Sequence, residues 1–223
     1  MSLAVVMANR QRAVVPDDRF QALRAAYGDV VVDVGTGDGR FAYHLARSTA
    51  ESLVVGVDPV AANMAATARR AARKQAKGGA PNLLLVHASV EELPTVLHRT
   101  ASAVFVQLPW GRLLEGIVTA DPEIVGGLAR LCAPGAHLTL TLNTRIWEHD
   151  LPGRFDHLPA PTPAHVAQVV APAFAAKGIE LRQSRYLTYP EMRSLGTTWA
   201  KRLSSGCNEP LFLHVAGCYR GPS

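Results

Sequence analysis

The chain has 223 residues, 48% hydrophobic and 18% charged, which is enough apolar matter for one folded domain and too little charge for general disorder. With 23 Lys and Arg against 18 Asp and Glu the formal charge is +5, a modest basic excess that suits an anionic partner such as nucleic acid without requiring one. No apolar run approaches the length of a membrane span and the amino-terminal one is too short for a secretion signal, so a cytoplasmic protein with no membrane partner is expected. Cys132, Cys207 and Cys218 and the eight histidines show no metal-type spacing, so buried reduced thiols and no bound metal are expected.

In chain order, Val5–Val15 reads as a short hairpin turning near Asn9, and Asp17–Tyr27 as a helix stopped by Gly28. Strand Asp29–Val34 is followed by a helix over Gly39–Ser48. Strand Leu53–Asp58 leads into a long helix from about Pro59 to Ala76, with Pro at its first turn and Gly78–Gly79 ending it. Strands Asn82–His87 and Ala103–Leu108 follow, then a helix near Pro122–Leu131 and strand Ala136–Asn143. Helix Ala164–Lys177 and strands Ile179–Tyr186 and Leu211–Tyr219 complete the series. This alternation predicts one α/β domain over 1–223, with a mostly parallel, seven-stranded, Rossmann-like sheet covered on both faces. Residues 1–28 form an amino-terminal extension. Two long connections, 144–163 and 188–210, are expected to overhang the ligand crevice and read the target.

The strongest local signal is Asp33-Val34-Gly35-Thr36-Gly37-Asp38-Gly39, between an apolar strand and a helix. Glycines at alternate positions let the backbone turn tightly and approach a ligand. The dinucleotide fingerprint needs its third Gly where Arg40 stands, so the loop is built for a cofactor without a pyrophosphate. S-adenosylmethionine fits, with S-adenosylhomocysteine as product, and the fold is then that of the class I methyltransferases. Asp58, ending the second strand and followed by Pro59, is placed to accept from ribose hydroxyls. Asp33 is placed to pair with the cationic end. In Ala88-Ser89-Val90-Glu91-Glu92-Leu93-Pro94, Glu91 is expected to face the cofactor, while Ser89 and Val90 supply backbone groups. An isolated Gly-rich turn is ordinary turn geometry about half the time; three such features at successive strand ends are not.

At the fourth strand end stands Gln107-Leu108-Pro109-Trp110-Gly111. Enzymes of this fold that methylate amino nitrogens often carry a polar residue where Leu108 stands, before a proline and an aromatic that stacks on an extruded base. A second indole, Trp199, follows Gly196-Thr197-Thr198, and two such rings can sandwich one base. Each stacking face contributes about 1–3 kcal/mol, comparable to extruding a base. Taken singly, either ring reads as a hydrophobic anchor, as does Trp147, whose loop could equally bring it to an RNA.

The ordered set VVDVGTGDGR, LVVGVDP, KGGAPNLL, ASVEELP, LPWG and SLGTTWAKRL resembles the aminoglycoside-resistance 16S rRNA (adenine-1408) methyltransferases of the kanamycin–apramycin type. The likeness covers nearly the whole chain. It implies that Trp110 and Trp199 clamp a flipped adenine and that Asp33, Asp58 and Glu91 bind the cofactor. It places Thr197 or Thr198 beside the site, and makes the assembled small ribosomal subunit the substrate; a monomer is expected. The chain departs from the family pattern at Cys207, where a basic residue often follows the WxxRL motif. The carbonyl of Leu108 or Pro109 is expected to hold the exocyclic amine of the base. RNA phosphates are assigned to Arg202, Lys201, Arg193 and Arg154 in the long connections, and to the run Arg69, Arg70, Arg73, Lys74 and Lys77. For that run a solvated helix end is an equal reading. Arg10 and Arg12 are weaker candidates. Other readings are another RNA methyltransferase, such as one acting on tRNA guanine nitrogen 7, a small-molecule methyltransferase, or a non-catalytic RNA-binding module.

Overall fold

The computed structural model describes residues 2–7, 12–148, 155–195 and 212–221. Arg10, Arg154, Thr197, Thr198, Trp199, Lys201, Arg202 and Cys207 lie outside the described residues. The strands are β1 (Ser2–Val6), β2 (Arg12–Pro16), β3 (Asp29–Val34), β4 (Ser52–Asp58), β5 (Leu83–His87), β6 (Ala101–Gln107), β7 (Cys132–Asn143), β8 (Ile179–Tyr186) and β9 (Phe212–Tyr219). They form one sheet in the order β2-β1-β5-β4-β3-β6-β7-β9-β8.

The sheet therefore has nine strands rather than the expected seven, because the amino-terminal hairpin joins it instead of standing apart. β1 pairs antiparallel with β5 through Val5 and Val86. Nor is it mostly parallel. The pairs β3–β4, β4–β5, β3–β6 and β6–β7 are parallel, while β1–β2, β1–β5, β7–β9 and β8–β9 are antiparallel. The parallel centre is where strands are covered on both faces, and β3 (DVVVDV) is accordingly buried at every position after the first.

Side chains alternate along a strand, and this splits the core into two clusters. Val30, Val32, Val34, Val104 and Val106 meet Leu114 and Ile117 of α4 (Gly111–Val118) and Ile124 and Leu128 of α5 (Pro122–Leu131) on one face. On the other face Val31, Val54, Leu83 and Leu85 meet Ala42, Tyr43 and Ala46 of α2 (Arg40–Ser48) and Met64 and Ala68 of α3 (Ala61–Ala71). Asn82 fixes the turn into β5, with its Nδ2 2.9–3.0 Å from the carbonyls of Ala46, Thr49 and Ser52. α5 begins on the side chain of Asp121, which accepts from the backbone N–H of Glu123 and Ile124. Helix 163–175 runs as α6 (Pro163–His165), a π-helical stretch Val166–Val170, and α7 (Ala171–Ala175).

A third, smaller cluster joins the turn after β6 to α8 (Tyr189–Ser194): Leu187, Met192 and Phe212 are buried there, with Leu108, Tyr189 and Leu195 packed against them. α8 starts on a capping box between Thr188 and Glu191. Glu191 also forms a two-pronged pair with Arg185, at 2.7 and 3.0 Å. That pair, with the bonds from Thr188, holds the Glu191 carboxyl down at about 2. The winding reverses between β3 and β6: the chain goes from β3 to β4 and β5 on one side, then returns to β6 on the other. Such a switch point opens a crevice at the carboxyl ends of the strands.

Candidate active site

A cleft of about 1180 Å³ lies there, lined by the ends of β3, β4, β5, β6 and β7 and the loops that follow them. The Gly-rich loop forms its base. Gly35 has φ +71°, and a Cβ on it would fall 2.6 Å from Leu113 Cδ2, so only glycine fits. The N–H groups of Gly35 and Thr36 both donate to the Val57 carbonyl, which ties the loop to β4. Asp58 completes the tie: its Oδ2 accepts from Gly37 N at 2.9 Å and its Oδ1 from Val60 N at 2.8 Å. Burial raises the Asp58 pKa, opposed by these two bonds.

Asp33 is 1% exposed. Its Oδ2 accepts from the Thr36 hydroxyl, whereas its Oδ1 is buried with no hydrogen-bond partner. Burial pushes the carboxyl up to about 7, against the Thr36 bond and with smaller contributions from Asp58 and Asp38. An uncompensated buried carboxylate facing a cleft is a site made for a cation or a strong donor.

Ser89, Val90 and Glu91 line the opposite wall. α5 holds this stretch in place: a Cβ on Gly127 would fall 2.2 Å from the Val90 carbonyl oxygen, so the helix packs directly on its backbone. The Glu91 carboxylate is 3.6 Å from Arg112 Nε, and Arg112 also bonds Asp121 at 2.8 Å. Glu91 is thus tethered at the cleft margin, by an arginine the sequence reading passed over.

Leu108 N donates to the Thr141 carbonyl at 2.8 Å, and Leu108 has φ +52°, a left-handed conformation costly for a branched side chain. This turn carries buried Pro109 and presents Trp110, 54% exposed, at the N-cap of α4. The Trp110 ring meets Phe155 edge-on, with centroids 5.2 Å apart and planes at 75°, which fixes the indole without covering it. Trp147, by contrast, is partly buried and donates from Nε1 to the Leu158 carbonyl at 2.9 Å, an anchor for its connection.

Of the expected site residues, Asp33, Gly35, Thr36, Gly37, Asp58, Pro59, Ser89, Val90, Glu91, Leu108, Pro109 and Trp110 come together around the cleft. Gly39 is the N-cap of α2 behind it. Thr197, Thr198 and Trp199 lie outside the described residues. The reading missed Asn63, Phe41 and Asn143, which also line the cleft; no local motif marks them, since only tertiary packing brings them there. Among the cations, Arg69, Arg70, Arg73 and Lys74 are exposed and make no ion pair among the described residues. Arg70 lies 4.5 Å above the Tyr43 ring. Arg69 and Arg70 sit at the far end of α3 from Asn63, about 10 Å along the helix axis, and Arg73 and Lys74 follow the end of the helix. Arg193 is exposed on α8, 5.8 Å from the Tyr189 ring. Among the described residues, no three His, Cys, Asp or Glu side chains form a metal site, and no helix is long and apolar enough to cross a membrane. Cys132 and Cys218 are free and buried, and burial pushes the Cys132 thiol up to about 12.

Residues 6–218 match the family model described as NpmA: 16S rRNA (adenine(1408)-N(1))-methyltransferase. The chain belongs to this family. It is 41% identical over 189 residues to the 16S rRNA (adenine(1408)-N(1))-methyltransferase of Streptoalloteichus tenebrarius, covering 85% of this chain and 86% of that one. A solved enzyme of the same description from Catenulisporales acidiphilia, a tryptophan-to-alanine variant with the cosubstrate S-adenosylmethionine, superposes with a TM-score of 0.91. It is 38% identical over 99% of this chain and 98% of its own. The aminoglycoside resistance methyltransferase NpmB1 superposes with a TM-score of 0.82 at 29% identity, over 98% of this chain and all of its own.

Proposed function

We propose that this enzyme transfers a methyl group from S-adenosylmethionine to ring nitrogen 1 of adenine 1408 in 16S rRNA, within the assembled small subunit, and so confers aminoglycoside resistance. The observation that carries this reading is the pairing, in one cleft, of a buried Asp33 oxygen without a donor and an exposed, edge-braced Trp110 at the rim. The first suits the cationic amino-acid end of the cofactor, the second the face of an extruded base.

The cofactor, when bound, supplies a sulfonium methyl, and adenine nitrogen 1 already holds the in-plane lone pair that takes it, so no protein group has to remove a proton. The protein's task is alignment. Asp33 holds the cationic end; Asp58, already fixing the Gly-rich loop, offers its remaining lone pairs to the ribose; Ser89, Val90 and the tethered Glu91 border the adenine of the cofactor. Trp110 stacks on the target base, with Trp199 as the second face and the Leu108 or Pro109 carbonyl accepting from the exocyclic amine. Thr197 or Thr198 borders the same space.

RNA is held through its phosphates by Arg69 and Arg70 on α3 and Arg73 and Lys74 just after it, by Arg193 on α8, and by Arg154, Lys201 and Arg202 in the two long connections. The α3 cations stand about 10 Å from the cleft wall, which fits a large folded RNA better than a nucleotide. The enzyme acts as a single-domain monomer in the cytoplasm, without a metal. Primer extension on small subunits treated with enzyme and cofactor tests the assignment: a cofactor-dependent stop at adenine 1408 is expected, and a stop elsewhere or none overturns it.

A further inference from the structure

Gln107 ends β6 and lines the cleft, and its Oε1 is buried with no donor. Such atoms are rare in native proteins and each asks for a reason. The strand register supplies one. Asp33 on β3 pairs with Phe105 on β6, and side chains two apart share a face. Gln107 therefore projects on the same face of the sheet as Asp33, about 6.6 Å nearer the rim. Phe105, opposite Asp33 and two residues before Gln107, meets the Phe41 ring edge-on at 5.5 Å, and this pair offers no donor. On the other side Gln107 pairs in register with Thr141, whose own Oγ1 is buried and unpartnered. Two donor-starved acceptors, Asp33 Oδ1 and Gln107 Oε1, thus border one cleft from adjacent strands.

We propose that Gln107 is a cofactor-positioning residue whose Oε1 accepts a second hydrogen bond from the same ammonium group that Asp33 binds, at the amino-acid end of S-adenosylmethionine. A primary ammonium carries three N–H donors and can serve both acceptors. The exocyclic amine of the target base is the poorer partner. Trp110 caps α4, whose Leu114 and Ile117 pack with Val104 and Val106 on the opposite face of the sheet, so Gln107 and the body of the helix that carries Trp110 lie on opposite faces. This inference rests on reading the cleft as the cofactor site.

The test is calorimetric, on the full chain, with S-adenosylhomocysteine and with 5′-methylthioadenosine, which keeps the nucleoside and thioether but lacks the amino-acid end. Gln107→Leu is expected to weaken S-adenosylhomocysteine about tenfold, as loss of a hydrogen bond to a charged group should, and to leave 5′-methylthioadenosine within about twofold. Removing an unsatisfied buried acceptor should also raise the melting temperature of the free protein by about 2–4 °C. Gln107→Glu keeps an acceptor and should retain S-adenosylhomocysteine at pH 8. Equal losses for both ligands, no loss for either, or failure of Gln107→Glu to bind would overturn the proposal. So would slowed methylation at unchanged S-adenosylhomocysteine affinity, which moves Gln107 to the base. A wild-type chain that binds neither ligand sinks the cofactor reading itself, before Gln107 comes into question.

Discussion

Replacing Asp33 by Asn should make the free protein more stable while removing its cofactor. In the folded chain this carboxyl is fully buried and its pKa stands at about 7 instead of 3.8. The folded state therefore holds a proton between those values that the unfolded state releases. Stability from this group is complete below pH 3.8 and is lost progressively as pH rises to about 7. Above that, keeping Asp33 ionised costs about 4 kcal/mol. An amide in its place carries no such cost, and Asn can still accept from Thr36. At pH 8.5, Asp33→Asn should thus melt on the order of 8–16 °C higher than wild type, with the gap reduced to less than half at pH 5 and gone below pH 3.8. Cofactor binding should move the other way. A bound cation needs the ionised carboxylate, so wild-type affinity should fall about thirtyfold between pH 8 and pH 5.5, with proton uptake by the free protein as the cause. Thermal melts and calorimetry at the two ends of that range measure both quantities. A variant less stable than wild type at pH 8.5, or a wild-type affinity flat across the range, would refute the reasoning that Asp33 is held charged for a cationic ligand.

Trp110→Ala and Trp199→Ala should each abolish methylation of small subunits while S-adenosylmethionine affinity stays within about twofold; normal methylation by either variant ends the idea of a two-sided clamp. Neutralising Arg73 and Lys74 together should flatten the salt dependence of subunit binding by about 0.7–0.9 per lost phosphate contact, and an unchanged slope removes the segment that follows α3 from the RNA interface. Gly127→Ala forces a methyl group to within 2.2 Å of the Val90 carbonyl. Denaturant melts should show a loss of about 1–3 kcal/mol, accompanied by weaker cofactor binding because the 88–94 stretch must shift; undisturbed binding would mean that this wall does not touch the cofactor.

The central strands were legible because each is a short β-branched run, and the Gly-rich loop because its glycines sit where a strand must hand over to a helix. What the sequence hid depends on partners distant in the chain. The docking of the hairpin rests on β1 meeting β5, which no local pattern encodes. The long helix expected to reach Ala76 stops at Ala71: Lys74 turns extended, with ψ 141°, and Gly79 folds back so closely that a Cβ there would fall 1.8 Å from the Arg73 carbonyl oxygen. α4 (Gly111–Val118) has no counterpart among the expected elements, since Leu-Pro-Trp-Gly resembles a turn and its apolar stripe is short. The left-handed Leu108 ran against its residue type, and positions of that kind gather at functional sites. That Asp33, Asp58 and Trp110 gather at one cleft follows from their places at or just after strand ends. The lone acceptor of Gln107 and the Arg112 tether needed the three-dimensional neighbourhood.

The small cluster around Met192 has a mechanical consequence. Leu108 belongs to the turn that displays the rim indole, while Leu195 closes the helix from which the chain departs toward Trp199, and both lean on the same few apolar side chains. The turn that carries Trp110 and the end of α8 therefore share a foundation, and neither can tilt without dragging the other. A shave of that foundation, such as Met192→Ala, would loosen both at once, although Met192 does not line the cleft.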